Sequence, residues 1–398
     1  MTTYRELFAI GEFRALFAAS STGVAAKTME MLALSALVYA YTGSPLLSAL
    51  AYLGGFLPQA IGALTLLSLA DRLPPRITIV VWSLVHAGAV ALFALGALPV
   101  WAMLLVIMVL GLGDAVVGAI RATVVVDIVP AGSYVLGRSV LNVAVGAMQI
   151  LGYAIGGTLL AVVSPAGALW AAAGIGAVSA AIVHIGLKRR PARTTGRAGV
   201  AATWHGNRAL FRDPLIRRLL LAQWVPNGLI VGAEAMFVPY AGEAAGFLFA
   251  GAAAGMLVGD VVIGRFTSAA WRRRLPLPLY LLLAVPYLAF FVHPGPVLAT
   301  ALVAVASFGY AGTLTLQEHF VEVVPDRLLG QGMGLASSGM MTGQAIFALL
   351  VGIAAEWGSA ATAMTLAGGL SVLSTLALLA GRRYPSPKQP AVVTTSSS

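Results

Sequence analysis

The sequence has no cysteine among its 398 residues, so disulfides, thiolate nucleophiles and cysteine metal sites are excluded. Charge is nearly as scarce. Asp, Glu, Lys and Arg make up 10% of the chain, against about 25% in a soluble domain. So few ionised groups cannot clothe a folded surface in water. The five histidines show no His-x-x-x-His spacing, so no metal site is expected. A Gly-X-Y period is missing, which excludes a collagen-like chain. There is no phosphate-binding glycine loop, no nucleophile–base arrangement and no soluble domain large enough for an ATPase. An enzyme and direct ATP drive are therefore not expected, and no cofactor is implied. The first apolar run is too long for the core of a cleavable signal peptide.

What is present is apolar length. Hydrophobic residues make up 59% of the chain and its mean hydropathy is +0.92. A membrane-crossing helix needs about 20 mainly apolar residues. Such runs lie near 15–41, 45–69, 77–97, 99–120, 139–163, 166–187, 215–240, 244–266, 276–293, 296–317, 329–355 and 359–381. The ninth is the shortest. A β-barrel would alternate apolar and polar residues in segments of about ten, and these runs do not. The expectation is an all-α integral membrane protein with twelve transmembrane helices.

The basic residues orient it. With the N-terminus cytoplasmic, 23 of the 24 Lys and Arg fall at the termini or on cytoplasmic connections, Arg121 and Arg138 among them. Lys27, inside span 1, is the exception. This bias places both termini in the cytoplasm of a cell membrane, inner or plasma. It also reads the net charge of +10 as attraction to anionic lipid heads, with no nucleic-acid partner. The polar stretch 188–213 divides the chain into bundles at 1–187 and 214–383, and 384–398 is expected to be a disordered tail. The stretch reads equally well as a solvated linker and as a piece lying on the bilayer around Trp204, Leu210 and Phe211.

The halves repeat each other. Asp127-Ile-Val-Pro130 follows span 4, and Glu322-Val-Val-Pro325 follows span 10. Each precedes a glycine-rich span. Two six-helix repeats of the same orientation, that is, parallel repeats, are an architecture of secondary transporters.

Leu69-Ala70-Asp71-Arg72, followed by Arg76, resembles the signature loop of the major facilitator superfamily. The turn Thr42-Gly43-Ser44 and the run Gly152-Tyr153-Ala154-Ile155-Gly156-Gly157 resemble its drug:proton antiporter branch, which includes macrolide and siderophore exporters. The chain departs from the pattern at Leu67, where the loop usually begins with Gly, and at Pro74 and Pro75. Tyr153 stands where the antiporter motif has Pro. The resemblance implies that Asp71, Arg72, Arg76 and Asp127 form a cytoplasmic gate between the halves. It implies that spans 1, 4, 7 and 10 line a central cavity. It also implies sliding of spans 2, 5, 8 and 11, with Gly152, Gly156, Gly157, Gly251, Gly255 and Gly259 packing between the halves.

Charges at membrane depth are costly and usually line cavities. Lys27 and Glu30 share one face of span 1, Asp114 lies in span 4 and Glu234 in span 7. Burial favours the neutral form of a carboxyl, which lets it load and release a proton. Two readings stand side by side: proton carriers or substrate contacts, and a static Lys27–Glu30 ion pair with Asp114 as a further partner. Gln223 and Asn227 are candidate cavity groups, or interhelical hydrogen-bond partners. His86 reads as structural.

The function expected is secondary active transport: proton-coupled export of a small amphiphilic molecule by alternating access. Uptake by a symporter or facilitator is the alternative. The partners expected are a small-molecule substrate, protons and the lipid bilayer, and the expected state is a monomer. Because the chain lacks cysteine, single introduced cysteines report its orientation. Gly206→Cys is expected to resist a membrane-impermeant maleimide in intact cells, and Gly295→Cys to be labelled. The reverse pattern overturns the orientation.

Overall fold

The computed structural model of the protein describes residues 4–66, 72–129, 134–192, 207–325 and 328–380. Asp71, the linker stretch 193–206 and the tail 384–398 lie outside the described residues.

The spans fold as helices. In chain order they are α1 (Gly11–Thr42), α2 (Pro45–Leu53 running on as Phe56–Thr65), α3 (Pro75–Ala94), α4 (Val100–Ile128), α5 (Tyr134–Val162) and α6 (Pro165–Gly186). The second half has α7 (Pro214–Glu234, then Phe237–Ala241), α8 (Ala245–Phe266) and α9 (Pro276–Ala284, then a 3-10 helix Val285–Val292). It ends with α10 (Pro296–Phe308, then Gly312–Val323), α11 (Leu329–Trp357) and α12 (Ala360–Leu379). Eleven of these are long and apolar enough to cross a membrane among the described residues, and α9 is a shorter apolar helix. Pro286 sits near the start of the 3-10 stretch of α9, where its missing N–H and its ring disfavour a continued α-helix. Large apolar side chains such as Leu105, Val109, Leu257 and Leu373 are exposed. On helices of this length, that surface faces lipid.

Helix caps explain several boundaries. Gly43 closes α1 in the left-handed conformation, with its N–H on Tyr39 O. Ser44, Ser164, Asp213 and Ser359 each accept a backbone N–H with the side chain at a helix start. One boundary corrects the sequence reading. The fourth apolar run was expected to end at 120, but α4 continues to Ile128. Residues 122–126 remain apolar or β-branched, and the chain leaves the helix only before Pro130, whose ring disfavours helix at the preceding residue. Arg121 and Asp127 therefore stand on α4, not on a connection. The repeat partner Glu322 stands likewise on α10, which ends at Val323.

The packing repeats as the sequence does. In the first half α1 packs on α5 and α6, α3 on α6, and α2 on α4; in the second, α7 packs on α11 and α12, α9 on α12, and α8 on α10. Across the seam α5 meets α8, and α2 meets α11. The architecture is two parallel six-helix repeats joined along these two helix pairs.

The glycines correct a second expectation. Of the six placed between halves, only Gly157 meets the other half: a Cβ there would lie 2.5 Å from Gly246 O of α8. Gly152 and Gly156 face Thr28 and Leu32 of α1, while Gly251, Gly255 and Gly259 face Thr300, Ala304 and Phe308 of α10. Small-xxx-small spacing signals a close helix approach. It does not say which helix approaches.

The face where α1 ends and α2 begins, the distal face, is clasped. Glu356 at the end of α11 accepts hydrogen bonds from the Ser44 hydroxyl and, at 3.2 Å, from Leu46 N. A carboxylate of one half thus caps the first turn of a helix in the other. The Tyr39 hydroxyl donates to Pro239 O at 3.4 Å. Phe249 of α8 lies beside Tyr52 and Tyr153 of the first half, with ring centroids 5.8 and 6.5 Å away. Losing a helix cap costs about 1 kcal/mol, so Glu356→Ala is expected to raise the distal-open population about fivefold. Spin labels at Ala97→Cys and Val292→Cys report this as a shift to longer separations. An unchanged distribution means that the clasp does not hold this face.

Candidate functional site

Four ionisable side chains meet inside the first bundle. Lys27 and Glu30 lie one turn apart on α1, which puts both on one face. The α3 helix brings His86 to that face, and Trp82 one turn before it. The α4 helix brings Asp114. His86 Nε2 lies 2.7 Å from Glu30 Oε2, and His86 Nδ1 lies 3.5 Å from Asp114 Oδ1. Lys27 Nζ is 3.5 Å from Glu30 Oε1 and 3.5 Å from Asp114 Oδ2. Trp82 Nε1 donates to Asp114 Oδ1 at 2.8 Å.

The exposures decide how these groups behave. The Glu30 side chain is 4% exposed, His86 16% and Lys27 30%. Glu30 is sealed into the bundle, whereas the ammonium of Lys27 reaches open space. That space is a cavity of about 310 Å³, walled by Trp82, Gln149 and Gly176 of the first half and touched by Met341 of α11. Arg121 lines it too, seven residues beyond Asp114 on α4.

The imidazole is the pivot. It sits between two carboxylates and offers one nitrogen to each. An imidazolium donates to both, whereas a neutral ring donates to only one and leaves the other oxygen facing a lone pair. Each change of protonation therefore rewrites the bonds linking α1, α3 and α4. A ring held this way can take up or give up a proton between two carboxylates.

Of the sequence-picked cavity residues, Lys27, Glu30 and Asp114 come together. His86 joins them as a bridging group rather than a structural one, and Trp82 and Arg121 were not picked. Glu234, Gln223 and Asn227 lie apart, in the second half. Glu234 ends the first segment of α7, half-buried, within electrostatic reach of Tyr52, Tyr153, Tyr287 and Tyr310. Gln223 donates to Leu219 O of its own helix at 3.3 Å. The Asn227 amide is buried with no hydrogen-bond partner among the described residues.

Of the residues expected at a gate, Asp71 lies outside the described residues. Arg76 shares a surface pocket with Gly11, Glu12 and Lys188 of its own half. Arg72 and Asp127 are exposed at the same face. Glu322, the repeat partner of Asp127, pairs with Arg273 of its own half at 2.5 Å.

A helical two-repeat bundle with a charged internal cavity is the build of a membrane transporter. Residues 15–244 and 234–396 match the Major Facilitator Superfamily model, and the chain belongs to that superfamily. It is therefore a multi-pass membrane transporter of small molecules, and its fold agrees with solved structures. One is a bacterial homolog of the human lysosomal transporter Spinster in its inward-facing, unoccupied conformation. That match has 16% identity and a TM-score of 0.67, over 92% of this chain and 94% of that one. The nucleoside transporter NupG matches at 14% identity and a TM-score of 0.71, over 93% and 98%. A POT family transporter in complex with 5-aminolevulinic acid matches at 12% identity and 0.69, over 92% and 95%. At these identities the likeness concerns the fold alone. No curated protein matches the chain significantly.

Breaking one member of a buried ion-pair cluster costs roughly 3 kcal/mol, because it leaves a charge uncompensated. Lys27→Met is expected to lower the thermal unfolding temperature in detergent, and the double variant Lys27→Met/Asp114→Asn to recover much of the loss. Losses that simply add would mean that the two residues do not share one network.

Proposed function

We propose that the protein is a proton-coupled secondary transporter that exports a small amphiphilic molecule by alternating access. The carrying observation is the His86 ring held between Glu30 and Asp114, with Lys27 touching both carboxylates. Proton loading at His86 or Glu30 changes the bonds joining three helices that wall the cavity. In this reading the bundles 1–187 and 214–383 rock about the α2–α11 and α5–α8 seams. Closure of the distal face leaves the substrate path at the face that holds the termini, taken as cytoplasmic from the basic residues. Asp71, Arg72, Arg76 and Asp127 would close that face in the opposite state. Glu234, without an ion pair among the described residues, is the candidate second carboxylate of the path. It acts as a monomer in this reading.

Export rests on the resemblance of the 152–157 run to the antiporter motif. Uptake symport is the second reading. It is favoured by Tyr153, which stands where that motif has proline and lies parallel to Phe249 across the seam. The sign of proton movement separates the two readings.

Everted vesicles acidified inside, with a pH-quenched dye, test the proposal against lipophilic cations, macrolides and siderophore-like anions. Export by antiport predicts that a transported compound releases lumenal protons, and that Glu30→Gln or His86→Gln abolishes the release. Symport gives the opposite sign. Proton movement that survives in both variants removes the cluster from the coupling path.

A further inference from the structure

One cation in the cavity has no contact ion pair among the described residues. Arg121 projects from α4 into the same space as the Lys27–Glu30–His86–Asp114 cluster. Its guanidinium carries a permanent charge and five donors in a planar fork. Among the described residues it makes no hydrogen bond and no ion pair. The carboxylates on its own helix, Asp127 and Asp114, stand six and seven residues away, about 9 and 10 Å along the axis, and Asp114 acts on Arg121 through space without an ion-pair contact. The oxygens of Asp114 are also engaged, Oδ1 by Trp82 and His86 and Oδ2 by Lys27. Glu30 is taken by His86 and Lys27.

The surroundings leave room beside the guanidinium. Gly23 of α1 faces it, and a Cβ on Gly23 would lie 3.6 Å from Nη1 and 3.9 Å from Nη2. Ser179 of α6 stands alongside and gives its proton to Ala19 O at 2.8 Å, so its oxygen is free to accept. The rest of the wall carries apolar groups such as Ala26, Val90, Val117 and Ala172. A volume of about 310 Å³ is at the lower end of small-ligand pockets, and such a pocket fixes its ligand with few polar groups.

We propose that Arg121 is the substrate-binding residue of this cavity and that the substrate is a small carboxylate with a compact apolar body. The planar fork meets a carboxylate with two parallel hydrogen bonds. The apolar wall takes the body, and the glycine at position 23 keeps the approach open. The charge balance agrees. Lys27 and Arg121 offset Glu30 and Asp114 while His86 is neutral, and the one proton His86 can add leaves a positive charge that an anion balances, a linkage that favours the symport reading over antiport. The inference rests on reading this cavity as the transport site. It goes further by fixing the sign of the substrate's charge and the residue that reads it.

Calorimetric titration of the full-length protein in lipid nanodiscs tests it with three probes of one shape: hexanoate, hexanamide and hexyltrimethylammonium. Hexanoate is expected to bind saturably, with the other two at least about tenfold weaker, the equivalent of about 1.4 kcal/mol. Arg121→Gln is expected to weaken hexanoate by about tenfold to a hundredfold, and Arg121→Lys by less. Gly23→Val keeps the guanidinium and fills the space before it. It is expected to weaken hexanoate as well, which answers any doubt about the folding of Arg121→Gln. The assignment is overturned if wild type binds no hexanoate saturably, if hexanamide binds equally well, or if both Arg121→Gln and Gly23→Val bind hexanoate as wild type does. No proton gradient enters the titration. Arg121-dependent binding with no proton movement in vesicles would leave the anion site and remove the coupling. Proton movement driven by hexyltrimethylammonium would keep the coupling and remove the anion site.

Discussion

A charge inside a membrane-spanning bundle is costly unless it is paired or faces a cavity, and this chain pairs most of its buried charges around one imidazole. His86 is held between Glu30 and Asp114, with Lys27 bridging the same two carboxylates from the other side. Much else in the first half follows. The α1, α3 and α4 helices are tied at one depth, so the cavity they wall has a fixed polar corner. The cluster is closed on itself, and Arg121 lines the same cavity outside it.

The second half answers with a different chemistry. Its buried surface around α7 to α10 is aromatic: Phe237, Phe249, Tyr287 and Phe290 are packed almost without exposure. Glu234 lies near tyrosines of both halves with no ion pair among the described residues. One bundle therefore holds a compensated polar cluster and the other an aromatic wall, and the seam helices join them. The distal clasp belongs to the same logic. The α2 and α11 helices run antiparallel along the seam, and Glu356 at the end of one reaches the first turn of the other. A carboxylate on a helix start contributes about 1 kcal/mol.

The spans were legible because lipid demands long apolar runs and internally bonded backbones. The repeat was legible in two Val-Pro stops, and the structure repeats its helix pairing in the same order. Lys27 and Glu30 were legible as a pair because helix geometry alone puts them on one face. His86 was not. It is a lone histidine on α3, and only the packing of α3 with α6 and α4 carries it to α1. Arg121 was misplaced because a basic residue at the end of an apolar run resembles a positive-inside flank. The apolar stretch continuing to Pro130 was the signal that the helix did not stop there. The glycines announced close approach without naming the neighbour, so five of the six were assigned to the wrong seam.

The central claim is that proton occupancy of the His86–Glu30–Asp114 cluster sets which face of the transporter is open. The most direct measurement is the distance between spin labels on the distal face, followed across pH in nanodiscs, for the wild type and for His86→Gln. The account predicts two populations in the wild type that exchange weight with pH, and a single distribution in the variant that does not respond. A variant that follows the wild-type pH response would contradict it.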